Sequence, residues 1–268
     1  MISGKNIVLT GCNSGIGLEV LKLLIKGDNK ILAVDKNIDK ISQFPEEKVI
    51  PMQMDVSTQE GVDAIFEKAE KELGFINIFY ANAGYPYYEE FNYVDWDRVS
   101  AMFETNVFSP IYSYSKYVRH LDGRKGIYAI TVSAIGTMAM PGYTIYSASK
   151  FAMHGFQQGL RLELPSNVQL TCLYPIATDT NFFITGNNKV DYKKPFPVQQ
   201  PDVVARKMVE GIESGKKNVS PSNLFIFAQQ LMKFVPPVRT AYWALEKMKF
   251  NEFRKNIAIK NAEELGIR

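Results

Sequence analysis

The stretch TGCNSGIG, residues 10–17, puts three glycines into eight residues. It follows the apolar run Ile7-Val8-Leu9 and precedes the helix-like run from Leu18 to Ile25, so it sits where a strand hands over to a helix. A loop of that kind lets backbone N–H groups approach an anion closely, and the first turn of the helix behind it adds partial positive charge. Gly11, Gly15 and Gly17 then read as positions where a side chain would obstruct the turn, the anion or the packing of helix on strand. Asn13, Ser14 and Ile16 complete the loop. The spacing T-G-x-x-x-G-x-G departs from the G-x-G-x-x-G fingerprint, so what the loop holds has to be decided elsewhere in the chain.

Outward from this loop, strands and helices alternate. Short apolar runs at residues 6–9, 30–34, 49–54, 76–80, 126–131 and 168–173 read as strands. Helical spacing covers residues 15–25, 58–73, 96–121 and 145–164, the third with an expected interruption near Pro110. Such alternation predicts right-handed βαβ units and an α/β fold, a parallel sheet covered on both faces. The 268 residues suit one domain over 1–268. With 46% apolar and 22% charged residues, the composition is that of a globular protein. A formal net charge of +3 is too small to point to nucleic acid. Cys12 and Cys172 are the only cysteines; they form no disulfide framework and no metal spacing, and a reducing cytoplasm is expected. The N-terminus runs straight into a strand pattern, without a signal-peptide core, and no apolar stretch approaches the ~20 residues of a spanning helix.

Two features give the glycine loop its ligand. Asp35 ends the apolar run ILAVD, about where a dinucleotide site needs a carboxylate for the adenosine ribose. Such a carboxylate accepts from the 2′- and 3′-hydroxyls and repels a 2′-phosphate. Lys36 next to it could soften that repulsion, but Ser14 is uncharged, so the reading favours NAD over NADP. The second feature is YSASK, in which Tyr146 and Lys150 stand four apart on one helical face. A free phenol, with its pKa near ~10, is a poor base at neutral pH. A lysine ammonium and a nicotinamide cation close by would favour the phenolate. The pair is then a proton donor and acceptor for alcohol–ketone interconversion, with Ser133, at the end of IYAITVS, holding the substrate oxygen.

At this point the chain resembles the short-chain dehydrogenase/reductase family. TGCNSGIG matches its glycine loop, Asn82-Ala83-Gly84 its N-A-G segment, and Asp55-Val56 the acidic residue contacting adenine and its neighbour. Asn106 matches its asparagine, Ser133 its serine, and Tyr146 with Lys150 its Y-x-x-x-K. The match runs over roughly residues 5 to 215. The resemblance implies a doubly wound, Rossmann-type parallel sheet of about seven strands, helices on both faces and a nicotinamide cofactor across the carboxyl ends of the strands. It also implies roles. Tyr146 is the acid/base, Lys150 lowers its pKa and binds the nicotinamide ribose, Ser133 orients the substrate, and Asn106 holds a water of a proton relay. After the sixth strand the family has P-G followed by a threonine for the carboxamide. Here Pro175 is kept, Ile176 replaces the glycine, and Thr180 is the expected ligand with Thr178 as second candidate.

The substrate side is aromatic and methionine-rich. Tyr85, Tyr87, Tyr88, Met138, Met140 and Tyr143 are expected to face the pocket, as are Phe182, Phe183, Ile184 and Phe196 from a substrate loop over about 181–200. This suits a bulky apolar ketone or alcohol, steroid-, retinoid- or lipid-like. A helical C-terminal extension occupies about 220–268: Leu224, Phe227, Leu231 and Val235 at helical spacing, a break at Pro236-Pro237, then a second short helix at Tyr242, Leu245 and Met248. It packs on the domain or a partner subunit, covers the substrate as a lid, or lies on a membrane surface with Lys233, Arg239, Lys247 and Lys249 toward head groups. His120 and His154 read as structural residues, Cys12 as a small side chain that fits. The resemblance implies a homodimer or homotetramer through the helices at 99–121 and 145–164. The expected protein is a cytoplasmic NAD(H)-dependent oxidoreductase, with a membrane-peripheral location open. The alternatives are a dinucleotide-binding sensor or scaffold without turnover and, less well matched, a sugar-nucleotide epimerase or dehydratase.

Overall fold

The six apolar runs become six strands, and residues 218–219 add a seventh, of one sheet in a computed structural model that describes residues 1–93, 95–180 and 194–264. They are β1 (Asn6–Thr10), β2 (Lys30–Asp35), β3 (Val49–Gln53), β4 (Ile78–Ala81), β5 (Gly126–Thr131), β6 (Val168–Leu173) and β7 (Asn218–Val219). Their order is β3-β2-β1-β4-β5-β6-β7, and every neighbouring pair is parallel. Ile7, Val8 and Leu9 of β1 and residues 31–34 of β2 are fully buried, as continuous apolar strands covered on both faces must be. The order reverses between β1 and β4, which places a crevice at the carboxyl ends of those two strands.

Helices α1 (Gly15–Leu24) and α6 (Pro201–Glu213) cover one face through Val20, Leu21, Val204 and Met208. On the other face, α2 (Gln59–Leu73), α4 (Ser109–Leu121) and α5 (Thr144–Leu160) bury Ile65, Phe66, Tyr117 and Met153. Polar caps fix the starts. Thr58 Oγ1 accepts from the Gly61 N–H at 3.0 Å, and Asp95 Oδ1 from the Arg98 N–H at 2.9 Å at the head of α3 (Trp96–Phe103).

One expectation is met and one is corrected. The long third helix is interrupted ahead of Pro110, by a π-helical segment at Glu104–Phe108. Pro110 itself lies in the first turn of α4, where its missing N–H is not needed. The extension holds α7 (Asn223–Phe234) and then a helix of 29 residues, α8 (Pro236–Glu264), rather than a second short one. Pro236-Pro237 ends one helix and opens the next, because proline suits a first turn as well as it breaks an interior.

Candidate active site

The crevice is built on the glycine loop. Asn82, just past β4, ties three strand ends together. Its Nδ2 donates to the Gly11 carbonyl at 2.9 Å and the Thr10 carbonyl at 3.2 Å, and its Oδ1 accepts from Thr131 Oγ1 at 2.9 Å. The Thr10 hydroxyl oxygen in turn accepts from the Asn82 and Ala83 N–H groups. A Cβ on Gly17 would lie 2.0 Å from the Gly11 carbonyl oxygen and 2.6 Å from Asn82 Nδ2, so α1 can meet the strand ends only with glycine there. Ser14, with extended backbone at the N-cap of α1, makes no side-chain capping bond. The first-turn N–H groups of α1 therefore point into the crevice without a side-chain cap.

Asp35 closes this half. Its carboxylate accepts from the Asn13 N–H at 2.9 Å and the Asn37 N–H at 3.2 Å and lines the crevice wall. Lys36 also lines this wall, and its Nζ pairs with Asp55, 2.8 Å distant. Gly11, Ser14, Gly15, Ile16, Val56, Ala83 and Gly84 also line the wall. Asn13 and Asp55 do not. The Asn13 side chain is turned outward, its Oδ1 accepting from the Lys40 and Ile41 N–H groups. Asp55 binds Lys36 and both the N–H and hydroxyl of Ser57. Partial burial raises its pKa, but these bonds outweigh burial and hold the carboxyl below its ordinary value.

The other half gathers Ser133, Tyr146 and Lys150. Ser133 follows β5 with φ of 127°, a strained conformation for a residue with a side chain. Its Oγ accepts from the Ile135 N–H at 3.3 Å and hydrogen-bonds to Tyr146. Tyr146 lies in the first turn of α5, and Lys150 follows one turn on, its Nζ donating to the Thr131 carbonyl at 3.1 Å. Both are buried, 6% and 4% exposed. Here the electrostatics differ from expectation. Burial pushes the Tyr146 phenol well above its ordinary pKa, and the hydrogen bond from Ser133 only partly opposes this. Burial also pulls Lys150 down to about 8. The Lys150 Nζ is directed at Thr131 and stands 5.7 Å from the centre of the Tyr146 ring.

Asn106 stands behind this wall rather than on it. The π-helical segment aims its amide at Tyr85, whose N–H donates to Oδ1 at 3.1 Å and whose carbonyl accepts from Nδ2 at 3.0 Å. Nδ2 also donates to Ser149 Oγ at 3.2 Å, and Ser149 donates to the Tyr146 carbonyl at 2.8 Å. Ser149 was not singled out by sequence, although its place in YSASK three residues after Tyr146 carries the signal. A Cβ on Gly84 would come within 2.9 Å of Asn106 Oδ1 and 3.5 Å of Lys150 Nζ, so the absent side chain is what lets the two converge.

Past β6, Pro175, Ile176, Thr178 and Thr180 all reach the crevice. Ile176 has no positive φ, so this path never needed the glycine. The Thr178 hydroxyl donates to the Ile176 carbonyl at 2.9 Å, whereas Thr180 lies over the glycine loop, its Cγ2 3.2 Å from where a Gly15 Cβ would stand.

The cavity measures about 460 Å³. Its far end is walled by Met138, Met140, Tyr143, Phe196, Phe225 and Tyr242, and Tyr85 contributes nearer the glycine loop. Tyr87 and Tyr88 do not reach it: Arg98 stacks on Tyr87 at 3.6 Å, and Tyr88 is buried against Tyr143 and Phe253. Phe182, Phe183 and Ile184 lie outside the described residues. Phe253 of α8, 2% exposed, shares a buried cluster with Tyr88, Tyr143 and Tyr146. Sequence reading missed this residue because the contact spans over a hundred positions. The histidines are structural: His120 accepts from the Ile76 N–H at 2.9 Å, and His154 pairs with the Tyr174 hydroxyl at 3.0 Å. Burial drives the Cys12 thiol pKa up, which keeps it an unreactive filler.

Comparison with known proteins agrees with this geometry. Residues 5–191 match the family model described as short chain dehydrogenase. The 3-dehydrosphinganine reductase of Danio rerio is 27% identical over 80% of this chain and 70% of its own. The NADPH-dependent 1-acyldihydroxyacetone phosphate reductase of Saccharomyces cerevisiae is 27% identical over 97% of this chain and 96% of its own. Among solved structures, a short chain dehydrogenase/reductase from Burkholderia phymatum in complex with NAD superposes with a TM-score of 0.76 at 18% identity, covering 89% of this chain and 97% of that one.

Proposed function

The chain belongs to the short chain dehydrogenase family of oxidoreductases, and on that premise we propose that it transfers a hydride between NAD(H) and a bulky, largely apolar ketone or secondary alcohol. The observation that carries this reading is the buried Ser133–Tyr146–Lys150 group set between two unlike half-sites. One half, with the glycine loop, the open first turn of α1 and Asp35, fits a dinucleotide. The other is walled by methionine and aromatic side chains.

When bound, the nicotinamide would supply or accept the hydride. The phenol of Tyr146, kept neutral by burial, would donate the proton that a ketone oxygen takes up on reduction. Ser133, hydrogen-bonded to Tyr146, would hold that oxygen beside it. Lys150 would bind the nicotinamide ribose and pass the proton onward. Asn106 would hold the wall of that relay in place through Tyr85 and Ser149. Thr180 would take the carboxamide in preference to Thr178, whose hydroxyl is tied to its own loop. Asp35 supports NAD over NADP, since a 2′-phosphate would meet its carboxylate, and Lys36, beside it on the wall, already has its charge paired with Asp55. The name of the yeast relative specifies NADPH, so this preference would be the chain's own. The lipid substrates named for both relatives agree with the apolar wall. Phe108 and Phe151, exposed at the head of α4 and on α5, would be covered in a homodimer or homotetramer.

The test is NADH consumption with a panel of hydrophobic ketones. Tyr146→Phe is expected to lower kcat by about 10²- to 10⁴-fold, the range for loss of a positioned proton donor. Equal turnover by wild type and variant would overturn the assignment.

A further inference from the structure

Helix α7 carries apolar side chains on its outward side as well as its inward one. At 100° per residue, Leu224, Phe227, Leu231 and Phe234 fall on one stripe, and they are 57%, 67%, 38% and 77% exposed. Its opposite side faces the protein: Phe225 lines the cavity, and Gln229 Nε2 donates to Thr137 Oγ1 at 2.7 Å. No residue of α7 is buried. A helix lying on a domain in water keeps its outward side polar, and α7 does not.

The charges around the stripe have one sign. Between residues 223 and 249 stand Lys233, Arg239, Lys247 and Lys249, against Glu246 alone. Glu246 is buried and paired with Lys249 at 2.7 Å. Lys233, Arg239 and Lys247 are exposed, and Arg239 lies 5.0 Å over the Trp243 ring. The cavity opens beside this helix. Phe225 of α7, Tyr242 of α8 and Phe196 all line it, and the Tyr242 hydroxyl donates to the Phe196 carbonyl at 3.0 Å.

We propose that α7 and the head of α8 dock on an anionic lipid bilayer, with the Leu224–Phe227–Leu231–Phe234 stripe among the acyl chains and the cavity mouth facing the lipid. Protein interfaces are depleted in lysine, whereas an apolar stripe flanked by Lys and Arg is the mark of a helix lying in a bilayer interface. This is a surface contact, since among the described residues no helix is long and apolar enough to cross a membrane. Delivery of an apolar substrate from the bilayer rests on the oxidoreductase reading; the docking itself does not.

The experiment is co-sedimentation of the full chain with phosphatidylcholine vesicles, with and without phosphatidylglycerol, at low and high salt. Wild type is expected to pellet with the anionic vesicles and to be released in part by salt. Phe227→Glu combined with Phe234→Glu is expected to lower binding by at least about tenfold. Neither residue lines the cavity, so NADH-dependent turnover of a water-soluble ketone should be unchanged, which also shows the variant folded. Lys233→Gln and Arg239→Gln, surface changes of little structural consequence, are each expected to weaken binding to anionic vesicles about fivefold. Absence of wild-type pelleting with anionic vesicles would overturn the proposal. So would a wild-type dimer that becomes monomeric in the double variant without any change in vesicle binding, which would give the stripe to a second copy. Pelleting is measured without turnover, so an inactive wild type would refute the oxidoreductase reading and leave the docking to be decided by the vesicles.

Discussion

Lys150 is charged at neutral pH in a place that disfavours charge, and replacing it with methionine should make the protein more stable. Burial pulls its pKa from 10.5 to about 8, which corresponds to about 3 kcal/mol against the ammonium in the folded chain. Below pH 8 both folded and unfolded chains hold the proton, and the folded state carries the whole penalty. Between pH 8 and 10.5 the unfolded chain binds more protons than the folded one, so stability rises with pH, by at most about 1.4 kcal/mol for each pH unit. Lys150→Met removes the penalty and gives up the hydrogen bond to the Thr131 carbonyl, a loss of about 1 kcal/mol. At pH 7 the variant should therefore be more stable by about 2 kcal/mol, from the difference of those two magnitudes. Urea unfolding of both proteins at pH 7 and at about pH 9.5 is the assay, the ionisation of tyrosines near ~10 being common to the two and cancelling in the difference. Wild type should gain about 2 kcal/mol on the variant over that interval, and the difference should close. If wild type gains nothing relative to Lys150→Met as pH rises, Lys150 is not a desolvated ammonium and the argument from burial fails. The same variant should have lost ketone reduction, a stability gained by removing a functional group.

Two other substitutions probe the remaining walls. Asp35→Ala should move the ratio of NADPH to NADH affinity by about tenfold toward NADPH, the effect of removing one like-charge contact worth about 1.4 kcal/mol; fluorescence titration with both cofactors checks it, and tighter NADPH binding by wild type would contradict the role given to Asp35. Phe253→Ala, which empties a site 2% exposed and 4.7 Å from the Tyr88 ring, should cost about 3–5 kcal/mol of stability. It should also lower kcat while leaving the Kd for NADH unchanged, because Phe253 shares its cluster with Tyr143 and Tyr146 and does not line the cavity; unchanged kcat would detach α8 from the proton donor.

The fold was legible because its signals are local. Strands buried on both faces are continuous apolar runs, and β1, β2, β4, β5 and β6 each end at a loop or helix start that carries a residue of the crevice wall. Gly11–Gly17, Asp35, Ala83-Gly84, Ser133 and Pro175 meet because all lie at carboxyl ends of strands or just beyond, a placement that follows from topology, and the first two turns of α5 bring Tyr146 and Lys150 to them. What was not legible depends on orientation. Asn13 and Asp55 sit in the right segments, but a short polar side chain goes where its partners are, and theirs are the N–H groups of Lys40 and Ile41, and Lys36 with Ser57. Tyr87 and Tyr88 fail for the same reason, one claimed by Arg98 and the other by Phe253. Spacing on a helix reports that Tyr146 and Lys150 are near one another and says nothing of desolvation, which raises the pKa of the Tyr146 phenol.

The extension shows why its three sequence readings could not be separated by pattern alone: they describe different sides of the same two helices. Facing inward, α8 packs on the domain. Trp243 Nε1 donates to the Ala139 carbonyl at 2.9 Å, and Phe250 and Phe253 close over Tyr88. Those contacts hold residues 137–143, the segment that carries Met138, Met140 and Tyr143 into the cavity wall and leads directly into Tyr146. At the rim, Phe225 and Tyr242 face the cavity, as a lid's residues do. Outward, the stripe on α7 has no protein against it among the described residues. Hydrophobic periodicity records that a side chain is apolar and where it falls on the helix, and it is blind to what lies opposite. Among the described residues, the hydrogen bond from Gln229 to Thr137 and the placement of Phe225 on the cavity wall fix the rotation of α7, and with it which apolar residues face the cavity and which face outward.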